Sequence, residues 1–288
     1  MSGHPSWIKV RVPTPAQSAG MAEMRDLLAR HDLETVCQGA QCPNAVECWS
    51  ARTATFMVLG DTCTRGCRFC DVPTGDPRGI IDQTEPERLA AAVGELGLKY
   101  VVLTSVDRDD VADGGTEAFA RCVEAITATA ADVVIEVLMP DFGGDRKSLD
   151  RMIATKAGVF GHNLETVRRL TPTLRDWRAG YDQSLGVLQH LASVSDGRPV
   201  KSSLMVGLGE SLDEIREAMT DLRAVGVTML TLGQYLQPSA TAAPVVRFVP
   251  PEAFEELDAN ARELGFKAEV AGPLVRSSYH AAAAYNEA

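Results

Sequence analysis

Six of the seven cysteines fall between Cys37 and Cys70, and they come in threes. The first triad is Cys37-x4-Cys42-x5-Cys48; the second is Cys63-x3-Cys67-x2-Cys70. Thiolate sulfur is a soft ligand, suited to zinc and to iron–sulfur clusters. Structural zinc sites usually bring cysteines in pairs, two pairs closing a tetrahedron. Triplets leave each set one cysteine short. In a four-iron cluster held by three thiolates one iron keeps an open position, which catalysis needs and a structural site avoids. The ferredoxin-type run of four close cysteines is absent. On residue type alone, a zinc knuckle or redox thiols compete for the second triad, and a zinc site completed by histidine competes for the first. Cys122, among Phe119, Val123 and Ile126, reads as a small buried hydrophobe.

These loops need elements to carry them. The apolar run 53–60, rich in strand formers and ended by Gly60, predicts a first strand, with the second triad directly at its C-terminal end. Helices predicted over about 85–97, 115–130, 145–155, 164–193 (interrupted at Pro172), 211–225 and 251–264 then alternate with strands over 100–105, 133–139, 158–162, 201–206, 229–235 and 267–271. Apolar strands separated by helices imply parallel pairing with both faces covered. Six such units predict an α/β fold, a partial (βα)6 TIM-like barrel rather than a closed eight-unit one.

Ahead of the barrel, residues 7–13 read as an extended arm. Met21, Met24, Leu27 and Leu28 mark a helix over 20–31, a stripe for core packing with His31 at its C-terminal end as a dipole partner. The first triad falls in a loop broken by Pro43 and Asn44. The expected division is an N-terminal extension (1–52) with the first triad, the barrel (53–271), and a C-terminal segment (272–288) ending in an Ala-rich helix.

Composition is ordinary for a globular chain of 288 residues, 45% hydrophobic and 23% charged. A net charge of -11 with dispersed Lys and Arg argues against a nucleic-acid partner. No apolar run approaches the roughly 18 residues that span a bilayer. The start shows no basic region followed by an apolar one. Thiols without an export signal suit a reducing compartment, so the expected location is the cytoplasm, with no membrane partner.

Cys63-x3-Cys67-x-Phe69-Cys70, placed after a first strand and before repeated βα units, resembles the signature of the radical S-adenosylmethionine (SAM) superfamily. Within it, Gln41-Cys-Pro-Asn-Ala-Val-Glu-Cys-Trp49, the loop from Gly60 to Cys70, Val102-Leu-Thr-Ser-Val-Asp-Arg-Asp-Asp110, Gly161-His-Asn-Leu-Glu-Thr166, Leu204-Met-Val-Gly-Leu-Gly-Glu210, Gly233-Gln-Tyr-Leu-Gln-Pro238 and Gly272-Pro-Leu-Val-Arg-Ser-Ser-Tyr279 are together similar to the lipoyl synthase family. The resemblance spans about residues 7–280. Ser203 stands where the family often has Gly, and Gly161 where Asn precedes His-Asn in many members.

The resemblance implies two 4Fe–4S clusters and SAM. Cys63, Cys67 and Cys70 would hold the cluster that cleaves SAM. Phe69 would lie near its adenine, and Ser105, Asn163, Glu165, Met205, Gly207 and Glu210 would contribute to its site. Cys37, Cys42 and Cys48 would hold an auxiliary cluster whose fourth ligand is Ser278. The implied activity is insertion of two sulfurs, at C6 and C8, into the octanoyl group of an octanoyl-lysine, with two SAM consumed and the auxiliary cluster as sulfur source. The implied partners are octanoylated lipoyl carrier domains (dehydrogenase-complex E2 subunits, glycine-cleavage H protein), a low-potential electron donor and an iron–sulfur carrier for cluster repair; the protein is expected to act as a monomer.

Plainer roles stand beside these. Ser277 or Ser278 can cap the last helix, Gly207–Glu210 can be a turn with Glu210 favoured by a helix dipole, and Asp107–Asp110 can be a solvated loop. His4, His190 and His280 read as surface or packing residues. Biotin synthase-like enzymes would carry further cysteines, and none follows Cys122. Methylthiotransferases acting on tRNA would add flanking domains and a basic surface. A non-catalytic iron–sulfur carrier is the remaining alternative.

Overall fold

The structure, a computed structural model, describes residues 4–9, 13–39, 42, 44–50 and 53–288. Residues 10–12 of the expected arm, and Gln41 and Pro43 of the first-triad motif, lie outside them. Residues 4–9 carry no strand, and His4 packs edge-on against Phe248. The chain forms two compact units. The N-terminal unit takes in residues 12–66 and 72–161, and the C-terminal unit takes in 1–11, 67–71 and 162–288.

In the N-terminal unit, α1 (Pro15–Arg30) begins five residues before the predicted start. Thr14 and Gln17 exchange hydrogen bonds in a capping box, and Pro15 occupies the first turn, where its missing N–H is harmless. Met24, Leu27 and Leu28 are buried as the stripe required. His31 closes the helix and meets Glu95 at 2.9 Å. A short β1 (Glu34–Thr35), unforeseen because two residues leave no periodicity, leads to α2 (Val36–Gly39) and α3 (Ala45–Ser50). The predicted first-triad loop is therefore largely helical.

Next come β2 (Thr53–Val58), α4 (Glu85–Leu96), β3 (Tyr100–Ser105), α5 (Thr116–Thr129), β4 (Val134–Leu138), α6 (Arg146–Ile153) and β5 (Val159–Gly161). β1 runs antiparallel to β2, and β2 through β5 pair in parallel, in chain order. Phe56, Leu103 and Ile135 on the strands and Phe119 and Ile126 on α5 are fully or almost fully buried, the outcome expected when helices cover a parallel sheet. Cys122 is buried on α5.

The C-terminal unit contains α7 (Thr171–Leu174), α8 (Tyr181–Val194), β6 (Val200–Val206), α9 (Leu212–Ala224), β7 (Met229–Gln234), α10 (Pro251–Glu263), β8 (Ala268–Gly272) and α11 (Ala281–Glu287). β6, β7 and β8 are parallel neighbours in chain order. The predicted helix over 164–193 is absent as such. Its first part is held extended beside β6: Glu165 donates its N–H to Ser203 O at 3.0 Å and accepts from the Met205 N–H at 2.9 Å. Pro172 then starts α7 instead of interrupting a longer helix. No helix among the described residues is long and apolar enough to cross a membrane.

The tail crosses β7 closely. A Cβ on Gly233 would collide with the Val275 carbonyl oxygen, so only glycine lets residues 272–279 lie there. The N-cap of α11 is His280, at φ 52° and without a side-chain cap, so neither Ser277 nor Ser278 fills that role. Gly233→Ala is expected to lift this segment off β7 and lower stability by about 1–3 kcal/mol, as overpacking does. Thermal unfolding, with limited proteolysis near residue 275, checks it.

Candidate functional site

Both helices of the first triad contact β2. Cys37 lies on α2 and Cys48 on α3. Between them, Cys42 donates its N–H to Cys37 O at 3.0 Å, and Cys48 donates to Asn44 O at 3.0 Å. Burial, then the neighbouring Cys42, pushes the Cys37 thiol up to about 11, against donors from the Thr55 backbone and the Trp49 and Thr55 side chains. Burial, then Cys37 and Cys42, pushes Cys48 up to about 12. The three sulfurs therefore lie within electrostatic reach of one another. The buried Trp49 Nε1–H, on the Cys37 side, completes no hydrogen bond of normal geometry. A donor left over beside a sulfur fits a site meant to hold more negative sulfur than three neutral thiols offer.

The second triad follows β2. Cys63 is fixed by its N–H on Pro73 O at 2.8 Å and by the Gly75 N–H on its own carbonyl at 2.9 Å. The Arg65 N–H points to Cys63 Sγ at 3.4 Å. The Arg65 side chain is 3% exposed and faces Asp107, Asp109 and Asp141. Burial alone would lower its pKa; the hydrogen bonds it donates to Asp109 and Asp141 outweigh that and hold it well above the ordinary range. Arg108 is likewise buried, paired with Asp110 and bonded to the carbonyls of Leu59 and Ile80. The stretch read as a solvated loop thus carries buried ion pairs.

In the C-terminal unit, the Asp176 N–H points to Cys67 Sγ at 3.3 Å. The Arg68 N–H donates to Leu174 O and its carbonyl accepts from Ala243, both at 2.7 Å. Phe69 and Met205 pack on one apolar cluster of Leu174, Leu208, Tyr235 and Ala243. Amide N–H groups aimed at Cys63 and Cys67 suit thiolates bound to a cluster, whose properties such bonds tune. Among the described residues, no three side chains close around a single-ion position.

The polar residues separate into two kinds. Burial drives the Glu165 carboxyl above its ordinary value, against Arg175 and a hydrogen bond from Asn163. Its backbone sits at φ 70°, a strained conformation for a non-glycine residue. Arg175 donates to Ser184 Oγ at 2.7 Å, while its buried Nε has no partner. Ser105, at the end of β3, also has a buried hydroxyl without a partner. Glu210 differs. Its two oxygens accept the Gly207 and Leu208 N–H groups at 2.6 and 2.9 Å. It closes the strand-end turn that Gly207 enters at φ 102°, so neither a free ligand contact nor a simple helix-dipole role describes it.

Residues 57–222 match the Radical SAM superfamily. Over 99% of its length the chain is 53% identical to a protein of Thermus thermophilus named lipoyl synthase, of which 87% is covered. It is 53% identical over 96% of its length to one of Halorhodospira halophila, 82% covered, and 51% identical over 98% to one of Pyrobaculum calidifontis, 96% covered, both of the same name. The chain belongs to the lipoyl synthase family.

Solved structures share the fold at low identity. The FeFe-hydrogenase maturase HydG of Carboxydothermus hydrogenoformans has a TM-score of 0.62 at 13% identity, covering 94% of this chain and 69% of that one. SuiB of Streptococcus suis bound to S-adenosylmethionine has 0.56 at 10%, covering 83% of this chain and 51% of that one, so the chain spans about half of its length. The α/β, partial-barrel class expected from the alternation is that of these radical SAM neighbours. As a lipoyl synthase family member the protein is a radical SAM sulfurtransferase, with 4Fe–4S clusters and SAM as cofactors. The readings as a zinc knuckle and as a non-catalytic carrier fall away. Arg175 and Asp141 had no sequence signal beyond residue type, and the pairing of Arg65 with Asp107 and Asp109 had none although those two lie in a quoted motif, because each depends on segments distant in the chain.

The raised thiol pKa values have a consequence for the metal-free protein. Cys37 and Cys48 rise from 9.0 to about 11 and about 12, so the fold prefers them neutral. That contribution is fully present below pH about 9 and is lost as pH rises through about 11 to 12. Denaturant melts of the metal-free protein are expected to show stability falling over that window, and a flatter profile in a Cys37→Ser, Cys48→Ser double variant.

Proposed function

We propose that the protein inserts two sulfur atoms, at C6 and C8, into an octanoyl group carried on a lysine of a lipoyl carrier domain, completing the lipoyl cofactor. The reading rests on the pair of cysteine triads, each one ligand short, in a chain 53% identical across 99% of its length to a lipoyl synthase. Cys63, Cys67 and Cys70 would hold one cluster, three thiolates being one ligand short of four. Cys37, Cys42 and Cys48, with Ser278, hold the auxiliary cluster. When bound, the first of these supplies the electron that splits SAM to methionine and a 5′-deoxyadenosyl radical, two SAM serving the two C–H bonds, and the auxiliary cluster supplies the sulfur.

The chain's residues have the remaining work. An unactivated C–H bond resists acid–base chemistry, so the protein must orient the reactants and exclude water around a radical. Phe69 and Met205, seated on the Leu174–Tyr235 cluster, offer an apolar wall for adenine. Glu165, oriented by Asn163, presents a carboxylate for ribose hydroxyls. The unpartnered Ser105 hydroxyl offers a further polar contact. Glu210 holds the Gly207 turn that borders the site. A serine oxygen is a harder and weaker partner for iron than thiolate. Ser278 would therefore hold iron less firmly than a fourth cysteine would, which gives a reason for serine at that position. In this reading residues 1–52, 53–271 and 272–288 divide the labour: auxiliary ligands, the radical site, and the closing ligand.

The substrates are octanoylated lipoyl carrier domains, such as E2 subunits and the glycine-cleavage H protein. A low-potential donor supplies electrons, an iron–sulfur carrier restores the auxiliary cluster, and the protein works as a cytoplasmic monomer. Anaerobic reconstitution with SAM, dithionite and an octanoyl-lysine peptide tests the reading. Mass spectrometry is expected to show one and then two added sulfurs. Deoxyadenosine without sulfur addition would leave the radical class standing and sink this assignment. Ser278→Ala is expected to retain deoxyadenosine formation and lose at least roughly 10-fold of the two-sulfur product, a loss of the size seen when support around a metal site is removed.

A further inference from the structure

Three carboxylates converge on the Arg65 guanidinium, and they are not equivalent. Asp141 is fully buried and accepts from Nη1 at 2.9 Å. Asp109 accepts from Nε and Nη2 side by side at 2.9 and 2.8 Å, a bidentate grip. Asp107 presents Oδ1 to Arg65, 3.2 Å from Nη1. Its other oxygen, Oδ2, lies 4.0 Å from Cys63 Sγ. One guanidinium cannot neutralise three carboxylates. Asp107 therefore reaches Arg65 through one oxygen and Cys63 through the other.

Asp141 and Asp109 already pair the buried Arg65, and the loop backbone is held by Pro73, Gly75 and Thr74 and by Thr64 donating to the Asp107 main-chain carbonyl, which a side-chain substitution leaves in place. Arg65 thus keeps two carboxylate partners when the Asp107 side-chain charge is removed. A unit charge 4 Å away acts on its neighbour even at a partly exposed side chain such as Asp107, 24% exposed. Net charge and hydrogen bonding around the sulfurs are among the factors that set a cluster's potential.

We propose that Asp107 is a positioning residue for the redox chemistry of the second triad: Arg65 fixes its carboxylate against Cys63, and the charge lowers the reduction potential of a cluster held there. This rests on the reading above that the second triad holds the cluster that cleaves SAM. Breaking the sulfonium S–C5′ bond takes one electron, delivered by an external low-potential donor, and yields methionine and a carbon radical. A lower potential favours the passage of that electron to SAM.

Asp107→Asn retains the shape and the Oδ1 contact with Arg65 while removing the charge. A redox titration of the reconstituted two-cluster protein, followed by electron paramagnetic resonance with and without SAM, reads the effect. The midpoint of the SAM-perturbed signal is expected to move positive by at least a tenfold change in the reduced-to-oxidised ratio, about 59 mV for one electron. The other cluster's midpoint is expected to stay in place. Asp109→Asn removes the same charge from the same guanidinium but not the oxygen beside Cys63, and is expected to move the midpoint less. An unmoved midpoint in Asp107→Asn, or equal shifts in the two variants, overturns the proposal. Should Asp107→Asn bind no cluster at the second triad, Asp107→Ser is titrated in its place, and absence of a positive shift there overturns it equally. Wild-type protein without any SAM-perturbed signal overturns the reading of the triad and the proposal with it; a normal signal with an unmoved potential overturns the proposal alone.

Discussion

A buried guanidinium cannot stand unpaired, and much of the second-triad loop follows from that constraint. Arg65 sits two residues after Cys63 with its side chain almost wholly out of water. Leaving such a charge without partners would cost several kcal/mol. The partners come from the end of β3 (Asp107 and Asp109) and the end of β4 (Asp141). Satisfying Arg65 therefore ties the cysteine loop to two strand ends at once. With the side chain so tied, its backbone N–H points at the Cys63 sulfur. One ion network holds a ligand loop and sets the charge beside it.

The same economy recurs in the C-terminal unit. Residues 67–71 are held by backbone bonds to Leu174 and Ala243 and by Phe69 packed on the cluster with Leu208 and Tyr235. Burial first, then Asp71 and Cys70, pushes the Tyr235 phenol up to about 12, and its hydroxyl stays a donor to the Ala243 carbonyl at 2.8 Å. Glu210 spends both oxygens on backbone amides. Polar groups at the ends of parallel strands thus do two jobs. Some, like Glu210 and Asp141, fix turns. Others, like Ser105, retain a buried polar atom without a partner. In a βα fold the loops at the C-terminal ends of the strands are the customary place for chemistry, and the Ser105 hydroxyl lies at such an end.

Most elements were legible in the sequence because their signals are local. The strands 100–105, 201–206 and 229–235 are apolar runs whose predicted bounds match within a residue. Helices α4, α9 and α10 carry first-turn acids and one-sided apolar residues. The misses share a cause. The helix expected over 164–193 has a helical pattern in part, but its first residues gain more from pairing with β6, with Glu165 at positive φ. The N-cap expected of Ser277 or Ser278 depended on where the chain turns, and the close crossing of Val275 over Gly233 places that turn later. Both outcomes are tertiary overrides of sound local preferences.

The sequence by itself determined the chemistry available: two sets of three soft ligands, each short of a fourth, ahead of alternating strands and helices. Ligand type and spacing are properties of the chain, and the family likeness is written in the same residues. Only the tertiary structure decided how those ligands are surrounded. That Arg65 is buried against three carboxylates, that Asp107 faces Cys63, that Glu165 is half-buried and Glu210 already engaged, all depend on segments 40 or more residues apart or on local folding that no period announces. Burial and long-range electrostatics arise from distance in space, and one sequence read along its length does not carry that distance.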